Sequence, residues 1–392
     1  MLFLFCIIFV SSKLLASYSN NNVVVLRGGY FNLNKNNTLQ LQDFADINKY
    51  MAETGIITSH YLNFSMINFN TQLRLFNTEN FYTNNTRNND TQLYIDELYA
   101  SSPLSNTTLG IGRKKVATQF SYFYPVLDIM ATTSINELNY FDRKIERSGQ
   151  DLIDFEVNTN YGNFYIAYVP EFQTNSRNFL ESSSSPQISK LFVKVSQSFL
   201  TTNTDVVVIY ANTAEEDNHY NTGGLGINQS IGDNTIIYTE VKFSDSNNFK
   251  NQYTSQIGYQ WDYNLGINYT FNNGINFLAE YYGNNYGFTQ SQYKSMLQNP
   301  IPPEYLYNNY TEIKRDYLSL RLAELSLPIK TELGGTINLN DKGVILFSTL
   351  EKEITDNLKI YSDINYFFQN KYSETNNIYY NFSILFSLKY FV

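Results

Sequence analysis

The sequence is poor in the residues that most often build reactive and metal-binding sites. Of 392 residues, one is cysteine and two are histidine. Cys6 lies in the apolar start of the chain, so we expect the mature protein to have neither a disulfide nor a thiol nucleophile. Two histidines without cysteine disfavour a His/Cys metal site. We therefore predict no catalytic residue, no metal and no cofactor.

Charge and long apolar runs are also scarce. Charged residues make up 16% of the chain and the formal net charge is -9, which disfavours binding to nucleic acid. Beyond the first ten residues, no stretch approaches the roughly 18 to 20 consecutive apolar residues of a membrane helix. The composition is therefore not that of a helical membrane protein.

The abundant residues favour β-structure. The chain has 34 Tyr and 29 Phe, and Ile, Val and Thr recur in short blocks separated by Asn, Asp, Gly and Ser. Alternation of apolar and polar residues predicts about 18 strands. The predicted strands lie near residues 23–33, 56–66, 71–78, 92–99, 107–113, 151–158, 162–169, 188–199, 204–212, 222–230, 235–243, 257–271, 274–282, 313–325, 329–339, 343–353, 358–368 and 377–391.

Two of these segments show the alternation most clearly. In IGYQWDYNLGINYTF, residues 257–271, every odd position is aromatic or aliphatic, so the whole stripe lies on one face of a strand. The stripe exceeds the five or six residues of a typical strand, which favours lipid over a soluble core. In IYYNFSILFSLKYFV, residues 378–392, one face is again apolar. This segment resembles the C-terminal strand that the outer-membrane assembly machinery recognises.

The connections between strands alternate in length. Ala100 to Asn106 and Thr159 to Tyr161 are short, whereas Lys114 to Gln150 and Thr213 to Asn221 are long. This rhythm is typical of a transmembrane barrel with short periplasmic turns and long extracellular loops. We predict an all-β, antiparallel up-and-down barrel of about 18 strands, with 16 as the alternative count. A turn or two of helix is predicted within residues 43–53.

The start of the chain, MLFLFCIIFVSSKLLASYS, has an apolar run followed by small residues. This pattern predicts a signal peptide over residues 1–16, although Lys13 follows the apolar run instead of preceding it. Residues 17–392 are then predicted to form a single outer-membrane barrel domain. The expected location is the outer membrane of a Gram-negative-type bacterium.

Charged side chains fall on the more polar face of their strands. A charge at the centre of a bilayer costs roughly 2 to 4 kcal/mol, so these residues are predicted to line a pore. The pore-lining candidates are Arg27, Arg74, Asp154, Glu156, Lys194, Glu240, Lys242, Asp262, Glu280, Arg315, Arg321, Glu332, Glu351, Lys359 and Asp363, together with Lys389. Basic and acidic candidates are similar in number, which predicts weak ion selectivity.

The longest connection is the candidate constriction. Opposed charges at a narrow point would set a transverse field that orients solutes. The candidates in loop 114–150 are Lys114, Lys115, Asp128, Asp142, Arg143, Lys144, Glu146 and Arg147. The alternative is that this loop lies on the surface.

Several blocks are similar to a family of porin-like outer-membrane proteins distantly akin to the alginate-export and phosphate-type porins. They are LYIDELYASSPLSNTTLGIGRKKV at 93–116, LDIM at 127–130, FYIAYVPEF at 164–172 and INYTFNNGINFLAEYYGNNYG at 267–287. The resemblance implies a barrel of this size, a long third loop that folds inward, and passive transport.

The predicted function is a porin, a channel for passive diffusion of small hydrophilic solutes, acting as a monomer or a homotrimer. Its expected partners are the outer-membrane lipid bilayer, these solutes and the assembly machinery. A surface adhesin on a barrel anchor is the first alternative, and a soluble exported β-sandwich or propeller is the second. A barrel phospholipase is disfavoured, because neither His60 nor His219 is part of a His-x-Ser arrangement.

Overall fold

The computed structural model describes the chain in thirteen ranges. They are residues 17–33, 48–64, 66–82, 87–118, 120–130, 149–170, 188–215, 218–245, 259–291, 294, 315–324, 326–368 and 380–392. The strands are β1 (Ser17–Leu33), β2 (Asn48–Phe64), β3 (Ile67–Tyr82), β4 (Arg87–Leu104), β5 (Thr107–Lys114), β6 (Gln150–Thr159), β7 (Gly162–Val169), β8 (Ile188–Phe199), β9 (Thr204–Glu215), β10 (Asn218–Ile231), β11 (Thr235–Ser244), β12 (Gln260–Thr270), β13 (Ile275–Asn284), β14 (Asp316–Glu324), β15 (Ile329–Asn338), β16 (Val344–Thr355), β17 (Leu358–Phe368) and β18 (Tyr380–Phe391).

These strands form one closed antiparallel barrel. Each strand pairs with its neighbours in the sequence, and β1 pairs with β18 from Val23 opposite Phe391 to Leu33 opposite Tyr380. Closure satisfies the backbone groups that an open sheet would leave unpaired at its edges. The predicted fold class and the count of 18 are confirmed. The 16-strand alternative, the sandwich and the propeller do not fit this topology.

The two ends of the barrel differ. At one end, which we call the turn end, every connection between strands has two to four residues, as at 65–66, 160–161 and 271–274. In the Asn-Asn-Gly turn of the β12–β13 hairpin, Gly274 has a φ of 88°, a conformation that glycine adopts without steric cost. The other end, the loop end, carries connections of up to 35 residues, the longest being 115–149.

Two local predictions are wrong. The segment from Asn48 to Glu53 belongs to β2 and is not helical, because its backbone pairs with both β1 and β3. Residues 43–47 lie outside the described ranges. The connection predicted to be long between Thr213 and Asn221 is only residues 216–217, because β9 and β10 continue their pairing to Glu215 opposite Asn218.

Side chains segregate between the two faces of the wall. Outward-facing aliphatic residues such as Ile111, Leu265 and Leu333 are about half exposed. Aromatic residues flank this apolar band. The outward aromatic residues near the loop end are Tyr50, Tyr168, Tyr210, Phe243, Trp261, Tyr366 and Phe368, and those near the turn end are Phe69, Phe164, Phe199, Phe271 and Tyr390. Apolar bands between aromatic girdles are typical of outer-membrane barrels.

In the described part of the chain, no helix is long and apolar enough to cross a membrane. The predicted signal peptide, residues 1–16, lies outside the described ranges and stays a prediction.

Candidate functional site

A segment of the β5–β6 connection, residues 120–130, lies inside the barrel. Leu127 and Met130 belong to a buried cluster with side chains of β4 and β6–β9, including Phe192. Phe123 and Tyr124 belong to a second cluster with side chains of β11, β13, β14 and β16. Because one short segment packs against inward side chains from so much of the wall, it occupies the lumen. Residues 120–130 of this loop therefore fold inward, whereas residues 131–148 lie outside the described ranges.

Two buried carboxylates of the wall hold the backbone of this segment. Glu240 of β11 has no exposed surface. It accepts hydrogen bonds from the backbone N–H groups of Phe120, Ser121 (3.1 Å) and Val126 (3.1 Å), and from the Ser121 hydroxyl (2.8 Å). Hydrogen bonds to a carboxylate compensate the water that it loses on burial.

Glu280 of β13, which is 1% exposed, plays the same part for the next residues. It accepts hydrogen bonds from the backbone N–H groups of Tyr122 (2.5 Å), Phe123 (2.9 Å) and Tyr124 (3.4 Å). The Tyr238 hydroxyl and the Asn264 amide (3.2 Å) also donate to it. We call Glu240 and Glu280 the carboxylate clamp.

Two glycines of β10 complete the docking surface. A Cβ atom at Gly224 would lie 2.5 Å from Leu127 Cδ2, and one at Gly226 would lie 2.7 Å from Leu127 Cδ1 and 2.9 Å from the ring of Phe120. Leu127 therefore fits where β10 presents no inward side chain. We call Gly224 and Gly226 the glycine slot.

Aromatic contacts continue the segment across the lumen. Tyr124 stacks on Tyr282 of β13 with ring centroids 4.5 Å apart. Tyr122, which is exposed, donates to Glu332 of β15 over 2.9 Å and lies under Arg321 of β14, 4.8 Å from its guanidinium carbon. The exposed side chain of Tyr122 thus contacts two charged residues of the wall, Glu332 and Arg321.

Most pore-lining candidates are in ion pairs on the inner wall. Distances between the charged atoms are 3.1 Å for Arg27–Glu53, 2.5 Å for Arg74–Asp96, 2.6 Å for Lys114–Asp154, 2.7 Å for Lys242–Asp262, 2.8 Å for Arg321–Glu332 and 3.4 Å for Lys359–Glu351. Each acid comes from a strand beside that of its base, and Lys114, the base that binds Asp154, is the last residue of β5. Paired charges give the wall little net field.

Four other candidates have different surroundings. The Lys194 ammonium lies 5.8 Å from the centre of the Tyr165 ring, and the Lys389 ammonium lies 4.4 Å from that of Tyr361. Glu156 accepts from the Asn163 amide (2.5 Å), and Asp363 accepts from the Thr349 hydroxyl (2.8 Å). Their contacts in the described wall are thus largely polar or aromatic.

Arg315 departs from the prediction. It lies one residue before β14, at the loop end, and donates to the carbonyl oxygen of Gly287 over 2.9 Å. The predicted strand over 313–325 began too early, so Arg315 is at the rim and not in the paired part of the wall.

The loop candidates divide into three groups. Lys114 ends β5, and Lys115 reaches Gln72 (2.5 Å) and Asp96 (3.8 Å), so both belong to the wall. Asp128 lies in the inward segment, half-buried. The remaining candidates, Asp142, Arg143, Lys144, Glu146 and Arg147, fall outside the described residues. The described segment is mainly aromatic and aliphatic, because charged groups docked against a packed wall would lose water without compensation.

The sequence analysis missed the acids that complete two wall pairs. Glu53 lies in the stretch taken for a loop with a helical turn. Asp96 lies where the pairing between β3 and β4 shifts register, beside Gln72 and Leu73. Because of this shift, two adjacent carboxylates both face the lumen. Asp96 accepts a hydrogen bond from Arg74, and Glu97 accepts one from the Lys115 N–H (3.2 Å). Two neighbouring acids in an otherwise alternating strand were the available signal.

Across the described ranges, no group of three or more His, Cys, Asp or Glu side chains is arranged to hold a metal ion. The described lumen instead contains a segment held by hydrogen bonds to Glu240 and Glu280 and a wall whose charges are largely paired.

Neither a protein-family model nor a curated protein sequence matches the chain. Solved structures do match its fold. OccK7 (OpdD) of Pseudomonas aeruginosa is 14% identical with a TM-score of 0.55, over 95% of this chain and 99% of that one. OccAB1 of Acinetobacter baumannii is 10% identical with a TM-score of 0.62, over 97% and 98%. OccAB2 of the same organism is 13% identical with a TM-score of 0.58, over 97% and 99%.

The porin-like barrel implied by the family resemblance is confirmed by these structures, but kinship with alginate-export and phosphate-type porins is not supported by them. At such low identity the likeness concerns architecture. The chain is an 18-stranded antiparallel barrel of the fold seen in these Occ proteins.

Proposed function

We propose that this protein is an outer-membrane porin, a channel through which small hydrophilic solutes diffuse passively. The observation that carries the proposal is the opposite chemistry of the two faces of one closed wall. The outer face is apolar between aromatic girdles, and the inner face carries ion pairs such as Arg27–Glu53 and Lys242–Asp262. A wall of this kind separates lipid from water.

The proposed orientation follows from the two ends of the barrel. Short turns face the periplasm and long connections face outward in barrels of this class. The turn end, with the β12–β13 hairpin at Gly274, would therefore be periplasmic. The 115–149 connection would enter the lumen from outside, where it narrows the path.

The proposed solutes are small and of either charge. Because most wall cations have an acid within ion-pair distance, the lumen offers neither a purely basic nor a purely acidic track. The pore-lining role of the candidate residues, including Lys194, Glu156 and Asp363, belongs to this proposal. Ion selectivity is expected to be weak.

We further propose that the protein works without enzymatic chemistry, and that one chain forms one conducting pore, since its barrel closes on itself. The oligomeric state, a monomer or a homotrimer, and recognition of residues 378–392 by the assembly machinery remain parts of the proposal. So does removal of the signal peptide.

The test is reconstitution. Purified, heat-modifiable protein added to a planar bilayer should produce discrete conductance steps, and proteoliposomes should swell in small sugars. A reversal potential near zero in a salt gradient is expected for a mixed-charge lumen. Absence of steps from folded protein, or recovery of the protein in the soluble fraction without detergent, would contradict the proposal.

A further inference from the structure

We infer that the carboxylate clamp, Glu240 and Glu280, sets the size of the aperture by fixing residues 120–127 inside the barrel. The inference rests on the proposed channel function and adds to it the residues that control passage. Both glutamates would be positioning residues, since they contact the backbone of the segment and act through it.

Within the part of the chain that the structure describes, the clamp has no basic partner. Among the described residues, neither Glu240 nor Glu280 forms an ion pair, unlike Asp96 or Asp262 on the same inner wall. Every hydrogen bond to the clamp comes from an N–H or O–H donor. These two almost completely buried side chains therefore depend on hydrogen bonds alone, and most of those bonds come from the segment.

The segment in turn depends on the clamp. Residues 120–130 form neither a strand nor a helix. Six of their backbone N–H groups, those of Phe120, Ser121, Tyr122, Phe123, Tyr124 and Val126, donate to the two glutamates. If the segment left the wall, both sets of groups would need water instead. The docked position is thus favoured from both sides.

Glutamine is the replacement that tests the hydrogen bonds of the clamp. An amide keeps the shape of the carboxylate, but one of its two acceptor oxygens becomes an NH₂ group. That group would face the backbone N–H groups of the segment as a second donor. Glutamine therefore removes the hydrogen bonds to one of the two oxygens of each clamp residue, while the packing of Tyr238 and Tyr282 changes little in volume. After a single replacement, the other glutamate and the glycine slot, which holds Leu127, would still keep part of the segment docked. Replacing both glutamates should therefore displace the segment more than either single replacement.

The main experiment compares the wild type with Glu240→Gln, Glu280→Gln and the double variant. Single-channel conductance should increase in both single variants and roughly double in the double variant, with entry of larger neutral sugars, because conductance follows the open cross-section. Glu324→Gln is the matched control. Glu324 lies at the turn end of β14 and accepts a hydrogen bond from the Ser326 N–H (2.9 Å), not from the inward segment. The conductance of the Glu324→Gln variant should therefore equal that of the wild type.

A second readout does not depend on conductance. In folded protein in detergent, chymotrypsin should leave the Phe120 to Tyr124 stretch intact in the wild type and in Glu324→Gln. In the double variant it should cut there, giving fragments of defined mass. Retained heat-modifiable mobility shows that the barrel itself is intact, so that cleavage reports release of the segment and not unfolding.

A tether tests whether release of the segment is the cause. Leu127→Cys with Gly226→Cys places two thiols where a Cβ at 226 would lie 2.7 Å from Leu127 Cδ1. The pair is added to the double variant with Cys6→Ser, so that no other cysteine remains. Oxidation should return the conductance to the wild-type value, and reduction should restore the higher one.

Two results would overturn the inference. One is a double variant with wild-type conductance and an intact segment. The other is a higher conductance that the oxidised tether leaves unchanged. If wild-type protein gives no steps while chymotrypsin still distinguishes the variants, the channel function fails but the clamp stands. If steps are seen and the variants match the wild type in both readouts, the clamp alone fails.

Discussion

Two walls of the barrel bury acids in opposite ways. On β11 and β13, Glu240 and Glu280 bind the backbone of a segment more than a hundred residues away in sequence. On β3 and β4, Asp96, also without exposed surface, binds Arg74 on the adjacent strand through two hydrogen bonds. The first wall is therefore completed by the inward segment, whereas in the second wall the acid finds its partner on the neighbouring strand.

The difference shows what compensates a buried charge in this barrel. Where a cation faces the acid, the wall keeps its structure whatever the loop does. Where only backbone N–H groups face it, the wall and the loop are interdependent. Variants of the second wall should mainly affect stability, and variants of the first should mainly affect what passes.

The largest effect is expected from Arg74→Met. It leaves Asp96 buried with only the more distant Lys115 (3.8 Å), and breaking one side of a buried pair costs about 3–5 kcal/mol. The urea midpoint of the heat-modifiable form should fall, with conductance unchanged in the molecules that fold. Replacing both partners, as Arg74→Met with Asp96→Leu, should recover most of the loss. A single variant as stable as the wild type would refute the distinction between the walls.

Gly226→Leu should come next. It fills the glycine slot, and the collision with Leu127 should cost about 1–3 kcal/mol and displace the inward segment. We expect a lower thermal midpoint together with a higher conductance. Gly223→Leu is the control, because Gly223 faces outward with no atom within 4 Å of an added Cβ. Equal behaviour of the two variants would show that the slot does not hold the segment.

Tyr122→Phe should have a smaller effect. It removes the hydroxyl bonded to Glu332 (2.9 Å), a loss of about 0.5–1.5 kcal/mol. Conductance should change little, but the salt bridge of Glu332 with Arg321 (2.8 Å) should become the sole constraint on that carboxylate in the described lumen. A small shift of the reversal potential towards cations is the readout. Tyr161→Phe, in an exposed turn, should leave it unchanged.

The smallest effect is expected from Lys359→Gln. Glu351 keeps a second cation, Lys330, at 3.1 Å, so the loss should be less than about 1 kcal/mol. Any change in ion preference should be near the limit of a reversal-potential measurement. A large loss of stability would mean that the Lys359–Glu351 ion pair stabilises the barrel more than its geometry indicates.

Much of the architecture could be predicted because a strand repeats every two residues. The alternation over 257–271 and 274–282 predicts Asp262 and Glu280 on the lumen face and Leu265 on the outer face, and in the structure both acids are buried while Leu265 is half exposed. Alternation assigns each side chain to one face of the strand without knowledge of which strands are its neighbours. It failed where local signals conflict with long-range pairing, as at Glu53, whose surroundings look helical but whose backbone pairs with Arg27 and Thr78 across two neighbouring strands.

The site was less predictable for a physical reason. The sequence placed Glu240 and Glu280 among the wall charges, but their partners are backbone groups, which look the same at every position of a sequence. The register shift beside Asp96 reverses the parity from which faces are assigned. The role of Gly224 and Gly226 depends on Leu127 meeting them in space, which alternation does not reveal.

The seam between β1 and β18 also constrains the order of events in biogenesis. Arg27 meets Ser387 there, 360 positions away, so the barrel gains its last row of hydrogen bonds only when both ends of the sheet are present. Contacts of such separation form late, since the chain between them must be ordered first. Until β18 pairs with it, β1 has only β2 as a neighbour and an open edge. The barrel therefore stays open until β18 pairs with β1.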